Sequence, residues 1–238
     1  MGTMSTMSRD VMFADRREAG RKLAAALARH DLPAPVVLAL PRGGVPVGYE
    51  VARALGAPLD IIVVRKLGAP GQPELGIGAV VDGDHPLSVL NQDMVKSLVV
   101  PKDYLEREVT AQLAEIRRRQ AAYRGGRAPI PVAGRTAIVV DDGLATGGTM
   151  RAALRSVRRA GPARLVLAVP VAPPDTLATL APEVDETVCL ATPEYFGAVG
   201  YFYRNFAQTT DEEVIRLLAS AGGEAPHRHD HGSKRRNH

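Results

Sequence analysis

Ala137-Ile138-Val139-Val140-Asp141-Asp142-Gly143-Leu144-Ala145-Thr146-Gly147-Gly148-Thr149 is the stretch on which the fold turns. Its continuous aliphatic start suits a strand buried on both faces of a parallel sheet. Asp141 and Asp142 end that run, and a turn carrying Gly143, Gly147 and Gly148 leads into helical spacing from Thr149 to Ala160. A glycine-rich turn between strand and helix lines up successive backbone N–H groups as an anion nest, and the positive end of the helix dipole adds to it. Thr146 and Thr149 add hydroxyl donors for phosphate oxygens. Carboxylates at contact distance repel phosphate, so the two acids suit neutral hydroxyls lying just behind the nest. A ribose 5-phosphate presents its groups in that order.

Competing phosphate motifs fit less well. Gly143 and Gly148 have P-loop spacing, but Thr149 stands where that motif places its lysine. No G-x-G-x-x-G opens a helix, which removes the dinucleotide reading. No serine is flanked by glycines at the spacing of a nucleophile elbow, so a serine hydrolase is excluded as well.

Working outward, aliphatic runs recur at Val36 to Leu40, Ile61 to Val64, Leu165 to Val171 and Val188 to Leu190. Helical stretches lie between them, including Val45 to Leu55, and this alternation predicts a doubly wound, mostly parallel α/β sheet. Asp15 and Glu18 form a capping box for a first helix ending near His30. Leu67 to Gly134 breaks the rhythm. Asp82-Gly83, between Ala79 to Val81 and Leu87 to Leu90, predicts a β-hairpin. A long helix starts at Asp103 with Glu106 as its capping partner, carries the stripe Leu105, Val109, Leu113 and Ile116, and stops at Gly125-Gly126. It is expected to pack on the sheet or on a second subunit, the latter giving a homodimer. Thr210 and Glu213 cap a last helix through Val214, Leu217 and Leu218. The expected organisation is a leader over 1–12, one α/β domain over 13–220 and a basic, His-rich tail over 221–238. Within the domain, an insertion is expected at about 68–134 and a C-terminal hood at about 193–220.

A second glycine loop, Pro41-Arg42-Gly43-Gly44-Val45-Pro46-Val47-Gly48, follows the Val36 to Leu40 strand. Glycines let backbone approach an anion closely, and Arg42 offers charge-assisted hydrogen bonds. Arg65-Lys66 ends the next strand. All three loops are expected at the carboxyl ends of parallel strands, where open α/β sheets bind ligands.

With these residues in view, the Val139 to Thr149 segment resembles the motif by which type I phosphoribosyltransferases bind 5-phosphoribosyl 1-pyrophosphate (PRPP). Pro41 to Gly44 resembles that family's pyrophosphate loop, and Arg65-Lys66 resembles the basic pair of adenine phosphoribosyltransferases. The likeness covers roughly Val36 to Val171. It implies a cradle for the 5-phosphate made of Gly143, Ala145, Thr146, Gly147, Gly148 and Thr149. Asp141 and Asp142 would hold the 2- and 3-hydroxyls and reach Mg²⁺ through water, and Arg42, Gly43, Gly44, Arg65 and Lys66 would hold magnesium pyrophosphate. The implied activity is transfer of the phosphoribosyl group to a nitrogenous, nucleobase-like acceptor. One departure stands out: no Lys or Arg occurs from Leu67 through Val95, where catalytic relatives close a basic loop over PRPP. Gly68 to Gly78, read as that loop, offers Gln72 and Glu74 instead. A PRPP or nucleotide sensor without chemistry is therefore the second reading. Tyr195, Phe196, Tyr201, Phe202, Tyr203 and Phe206 cluster in the hood, available to stack a planar base or to pack the C-terminal segment.

The formal charge is +4, and the tail supplies four Lys/Arg against two Asp/Glu, so the body is near neutral and lacks the basic face that nucleic-acid binding needs. A single cysteine, Cys189, excludes an internal disulfide and points to a buried thiol in a reducing compartment. No apolar run reaches the roughly 18 residues of a membrane span. A cytoplasmic location is expected, and metal binding by the tail histidines is not.

Overall fold

The computed structural model describes residues 12–81 and 86–223. In chain order its first elements are α1 (Arg16–Leu27), β1 (Pro35–Ala39), α2 (Gly44–Leu55), β2 (Leu59–Ile61), β3 (Val64–Ala69), β4 (Gln72–Val81) and β5 (Leu87–Leu90). There follow α3 (Gln92–Ser97), α4 (Lys102–Arg124), β6 (Thr136–Val140), α5 (Gly148–Arg159), β7 (Arg164–Val171), α6 (Pro174–Leu180), β8 (Glu186–Ala191) and α7 (Asp211–Gly223).

Five strands pair in parallel in the order β2-β1-β6-β7-β8. Successive side chains point to opposite faces, so the aliphatic runs feed two cores. Val37, Ala39, Ile138, Val140, Val166 and Ala168 meet α1, α2, α4 and α7 on one face. Val36, Leu38, Ala137, Val139, Leu165 and Leu167 meet α5 and α6 on the other. The chain runs outward from β1 to β2 and then crosses back to β6. The crevice between the carboxyl ends of β1 and β6 is thus the topological switch point of the sheet, the usual ligand position in open α/β folds.

Helix ends follow local chemistry. Asp15 caps α1 by accepting from the Glu18 amide at 2.8 Å, whereas the Glu18 carboxylate reaches back to the Ala14 amide and not to that of Asp15. Thr210 Oγ1 accepts from the Glu213 amide at 3.1 Å to start α7, which continues beyond the expected boundary at Ser220 to Gly223. The N-cap of α4 is Pro101 and not Asp103, whose carboxylate instead pairs with Arg107 one turn on at 2.7 Å. Gly125 ends α4 in the left-handed region at φ +57°. Ile116 is fully buried, and Leu105, Val109 and Leu113 pack against the core within the chain, on the side of β3, β4 and α7.

Two expectations change in the insertion. The expected Ile61 to Val64 strand is divided: β2 stays in the parallel sheet to Ile61, and Val64 opens β3 of a separate antiparallel sheet, β3-β4-β5. The stretch from Gly68 to Gly78 is not an open loop. It is the end of β3, a Pro70-Gly71 turn and most of β4, with Gly71 at φ +70°. Proline followed by a glycine at positive φ is a type II turn signal. The strands of the second hairpin pair with Val81 opposite Leu87, while its Asp82-Gly83 turn lies outside the described residues. So do the leader up to residue 11 and the tail from residue 224. Among the described residues no helix is long and apolar enough to cross a membrane.

Candidate functional site

The loops after β1 and β6 are bound into one surface. Leu40 N donates to Val140 O at 2.9 Å, extending the β1–β6 ladder by one residue, and Gly44 N donates back to Leu40 O at 3.0 Å to start α2. Both glycines of the first loop are set by the acids of the second. A Cβ on Gly43 would stand 2.1 Å from Asp142 Oδ2, and one on Gly44 would stand 2.8 Å from Val140 O and 2.9 Å from Asp141 Cα. The Pro41–Arg42 peptide is cis.

Asp141 Oδ1 accepts from the Asp142 amide at 2.9 Å, which folds the first acid back over its own loop. Asp142 Oδ2 pairs with Arg16 Nε at 2.7 Å, and the two side chains are 12% and 13% exposed, Arg16 first. Arg16 also donates from Nη1 to Ala207 O at 2.7 Å and lays its guanidinium over the Phe206 ring, 3.8 Å from the centroid. The buried Tyr203 hydroxyl donates to the Asp142 backbone carbonyl. Burial, then the Asp142 charge, holds Asp141 well above the usual carboxylate range. Burial also raises Asp142, against the opposing charge of Arg16. Burial and the same acid push Tyr203 upward.

Beyond the acids, the loop is shaped from behind. Gly147 is the N-cap of α5 at φ +73°, and a Cβ there would stand 2.9 Å from Thr176 Cγ2. Thr176, buried at the start of α6, donates from Oγ1 to Ala145 O at 2.6 Å, and Leu144 N donates to Val171 O at 3.0 Å. Ala145, Thr146, Gly148 and Thr149 are left exposed around the positive end of α5. Thr146, Gly148 and Thr149 face a cavity of about 700 Å³ whose far wall is the antiparallel sheet with Lys66 and the start of α3 with Asn91 and Gln92, and whose near wall includes Arg151. The Arg151 Nε is buried there without a partner.

The basic residues expected around this surface divide. Arg42 stands in the first loop with Nη1 3.7 Å from Asp211 Oδ1, the oxygen that accepts the Tyr123 hydroxyl at 2.7 Å. Burial, then that hydrogen bond, pushes Tyr123 up to about 12. Arg65 and Lys66 are not brought together, because neighbours on a strand face opposite ways. Arg65 Nε donates to Gln112 of α4 at 2.9 Å, and Lys66, on the cavity side, donates to the Glu74 carbonyl of its own hairpin. Glu74 is exposed in β4.

Arg16, Thr176 and Asp211 carry no sequence signal for this site; each arrives from an element far along the chain. The hood aromatics split in use. Tyr203 packs on Phe13 with ring centroids 5.3 Å apart and Phe206 stacks on Arg16, while Tyr195 is 78% and Tyr201 53% exposed. Cys189 is half-buried rather than buried, with its Sγ on the Ala191 carbonyl at 3.2 Å. Among the described residues no group of three or more His, Cys, Asp or Glu converges as a metal cage.

Residues 15–197 match a family model described as phosphoribosyl transferase domain. Two Mycobacterium tuberculosis proteins, provisionally named as phosphoribosyl transferases, are each 50% identical over 210 residues, covering 88% of this chain and 47% of theirs. The chain thus spans about half the length of the curated relatives it matches. The crystal structure of TT1426 from Thermus thermophilus is 47% identical, with a TM-score of 0.75 over 87% of this chain and 98% of that one.

Proposed function

The chain belongs to the phosphoribosyl transferase domain family, and from that premise we propose that it transfers the 5-phosphoribosyl group of PRPP to a nitrogenous, nucleobase-like acceptor. One observation carries the reading. The acid pair Asp141-Asp142 stands at the switch point between β1 and β6, with the nest of α5 on one side and the Pro41 to Gly44 loop on the other.

In this reading Gly143, Ala145, Thr146, Gly147, Gly148 and Thr149 cradle the 5-phosphate with backbone amides and hydroxyls, in the field of the α5 dipole. Asp141 and Asp142 accept the ribose hydroxyls. Arg42, with the backbone of Gly43 and Gly44, takes the pyrophosphate end. Lys66 faces the phosphate side of the cavity, and Arg65 serves the site through the α4 contact that fixes β3. Transfer breaks the bond from ribose C1 to the pyrophosphate oxygen, with the electron pair leaving on pyrophosphate. It forms a bond from C1 to the acceptor nitrogen, whose proton is released. Positive charge on the ribose ring in between is stabilised by fixed carboxylates and dipoles that need no reorganisation. Mg²⁺ fits as a cofactor held mainly by PRPP, because two adjacent carboxylates without a wider cage suit a hard cation that keeps its waters; it would neutralise the leaving pyrophosphate. The setting proposed is the cytoplasm.

The second reading, a sensor that binds PRPP or a nucleotide without chemistry, is favoured by one feature. The stretch from Leu67 to Val95 lacks Lys and Arg, and its described residues form the end of β3, β4, β5 and the start of α3, so they offer no basic lid. Calorimetric titration with PRPP, with and without Mg²⁺, tests the shared part. A ligand at a hundred times its Kd adds about 2.7 kcal/mol of stability, so the native protein should shift clearly in a thermal melt and Asp142→Asn should not. No response from folded native protein would sink the PRPP reading. Pyrophosphate release with a panel of nucleobases then separates enzyme from sensor. The α4 stripe packs within the chain, so a homodimer would have to form through another surface; sedimentation velocity tests for it.

A further inference from the structure

Among the described residues, the cation that reaches Asp142 comes from the far N-terminal side of the chain. Arg16, the first residue of α1, is held by three contacts at once: the Asp142 carboxylate at 2.7 Å, the Ala207 carbonyl at 2.7 Å and the face of Phe206 at 3.8 Å. Both members of the ion pair are nearly out of solvent, where screening is weak and geometry is enforced. Across the carboxylate, the same Oδ2 lies so close to Gly43 that no side chain fits between them. Below it, Tyr203 pins the Asp142 carbonyl. The Asp142 side chain is therefore fixed by α1, the first glycine loop and the hood together.

We infer that Arg16 is the positioning residue of the sugar subsite: it grips one carboxylate oxygen of Asp142 and so fixes the orientation from which that acid accepts a ribose hydroxyl. The inference rests on the sugar-phosphate reading above and assigns a part of it that the loop motif does not contain. A blocking role, in which the guanidinium leaves before sugar enters, fits the geometry less well. Leaving would forfeit the ion pair, the carbonyl bond and the ring contact together. The arrangement also ties the segment from Met12 to Arg16 to the sugar. Met12 N and Phe13 N both donate to Phe202 O at 3.1 Å, and Arg204 N donates to Phe13 O at 2.9 Å, so hood and N-terminal segment carry Arg16 as one piece.

The test compares ribose 5-phosphate with its 2-deoxy and 3-deoxy analogues by calorimetry, on the native protein, Arg16→Lys and Arg16→Gln. Native protein is expected to prefer ribose 5-phosphate over each analogue by about tenfold or more, the size of one hydrogen bond to an ionised group. In Arg16→Gln one of the two preferences, that for the hydroxyl held by Asp142, should fall to about threefold or less while the other persists. Arg16→Lys keeps a charge without the planar fork and should lie between. A merely structural role would weaken all three ligands together and leave both ratios unchanged, which overturns the inference. Tighter ribose 5-phosphate binding by Arg16→Gln overturns it too, in favour of a blocking role. If Arg16→Gln shows no cooperative melt, the ratios in Arg16→Lys decide in the same way. Failure of the native protein to bind ribose 5-phosphate or PRPP removes the sugar-phosphate reading, and this inference with it; equal ratios in native and variant remove this inference alone.

Discussion

At the scale of single residues, the site combines unfavourable burial with favourable contacts. Ionised Asp141 opposes folding, because burial and its neighbour raise its pKa in the folded state above the unfolded value. The sign follows from proton linkage: the folded state binds the proton more tightly, so the unfavourable contribution of Asp141 should shrink as pH falls from its folded-state pKa toward its unfolded value. Asp141→Asn should raise the melting temperature at pH 7.5 and lose PRPP binding, and a melt series over pH checks both the sign and the trade. Thr176 acts oppositely. Thr176→Val keeps the shape but removes the 2.6 Å donor to the Ala145 carbonyl, at a cost of about 0.5–1.5 kcal/mol. Weaker phosphate binding should accompany it, measured by calorimetry with inorganic phosphate. Residues of the Asp141 to Thr149 loop were legible because their chemistry is contiguous. The part of Arg16 was not, nor was the bond from the hood residue Tyr203, since they lie 126 and 61 positions from Asp142.

At the scale of elements, the helices and parallel strands followed from aliphatic runs, caps and glycines, all of them local signals. The insertion was harder to read. Proline and glycine in Pro70-Gly71 look like an open loop until the strands on both sides find each other. Their pairing also explains why Arg65 and Lys66 part company, one to α4 and one to the cavity. The C-terminal end of α4 is anchored where it meets the sheet edge. Arg124 donates from Nε and Nη2 to the Asp60 carboxylate at 2.9 and 3.2 Å, and the Ile130 amide donates to the same group at 2.9 Å. The pair is 14% and 7% exposed, Arg124 first. Arg124→Ala would leave the buried Asp60 carboxylate without its cation, held by the Ile61 and Ile130 amides alone, so a loss of about 3 kcal/mol is expected, read by urea denaturation. A loss below about 1 kcal/mol would mean that the pair behaves as a surface bridge.

At the scale of the whole molecule, one parallel sheet separates two cores and places both glycine loops at the same edge. Ile138, fully buried at the centre of β6, supports both. Ile138→Ala should cost about 2–5 kcal/mol in thermal or chemical unfolding. If PRPP binding to the still-folded variant stayed near native, the loop geometry would prove independent of the strand beneath it. The sequence alone determined the alternation of strands and helices, the glycine turn between β6 and α5 and the acid pair beside it, because backbone freedom at glycine, side-chain period and capping act within a few residues. Tertiary structure decided which cation meets Asp142, which hydroxyl braces the loop after β6 and where Arg42, Arg65 and Lys66 point. Those depend on contacts between segments far apart in the chain, which form only when the sheet, the antiparallel insertion and the hood pack together.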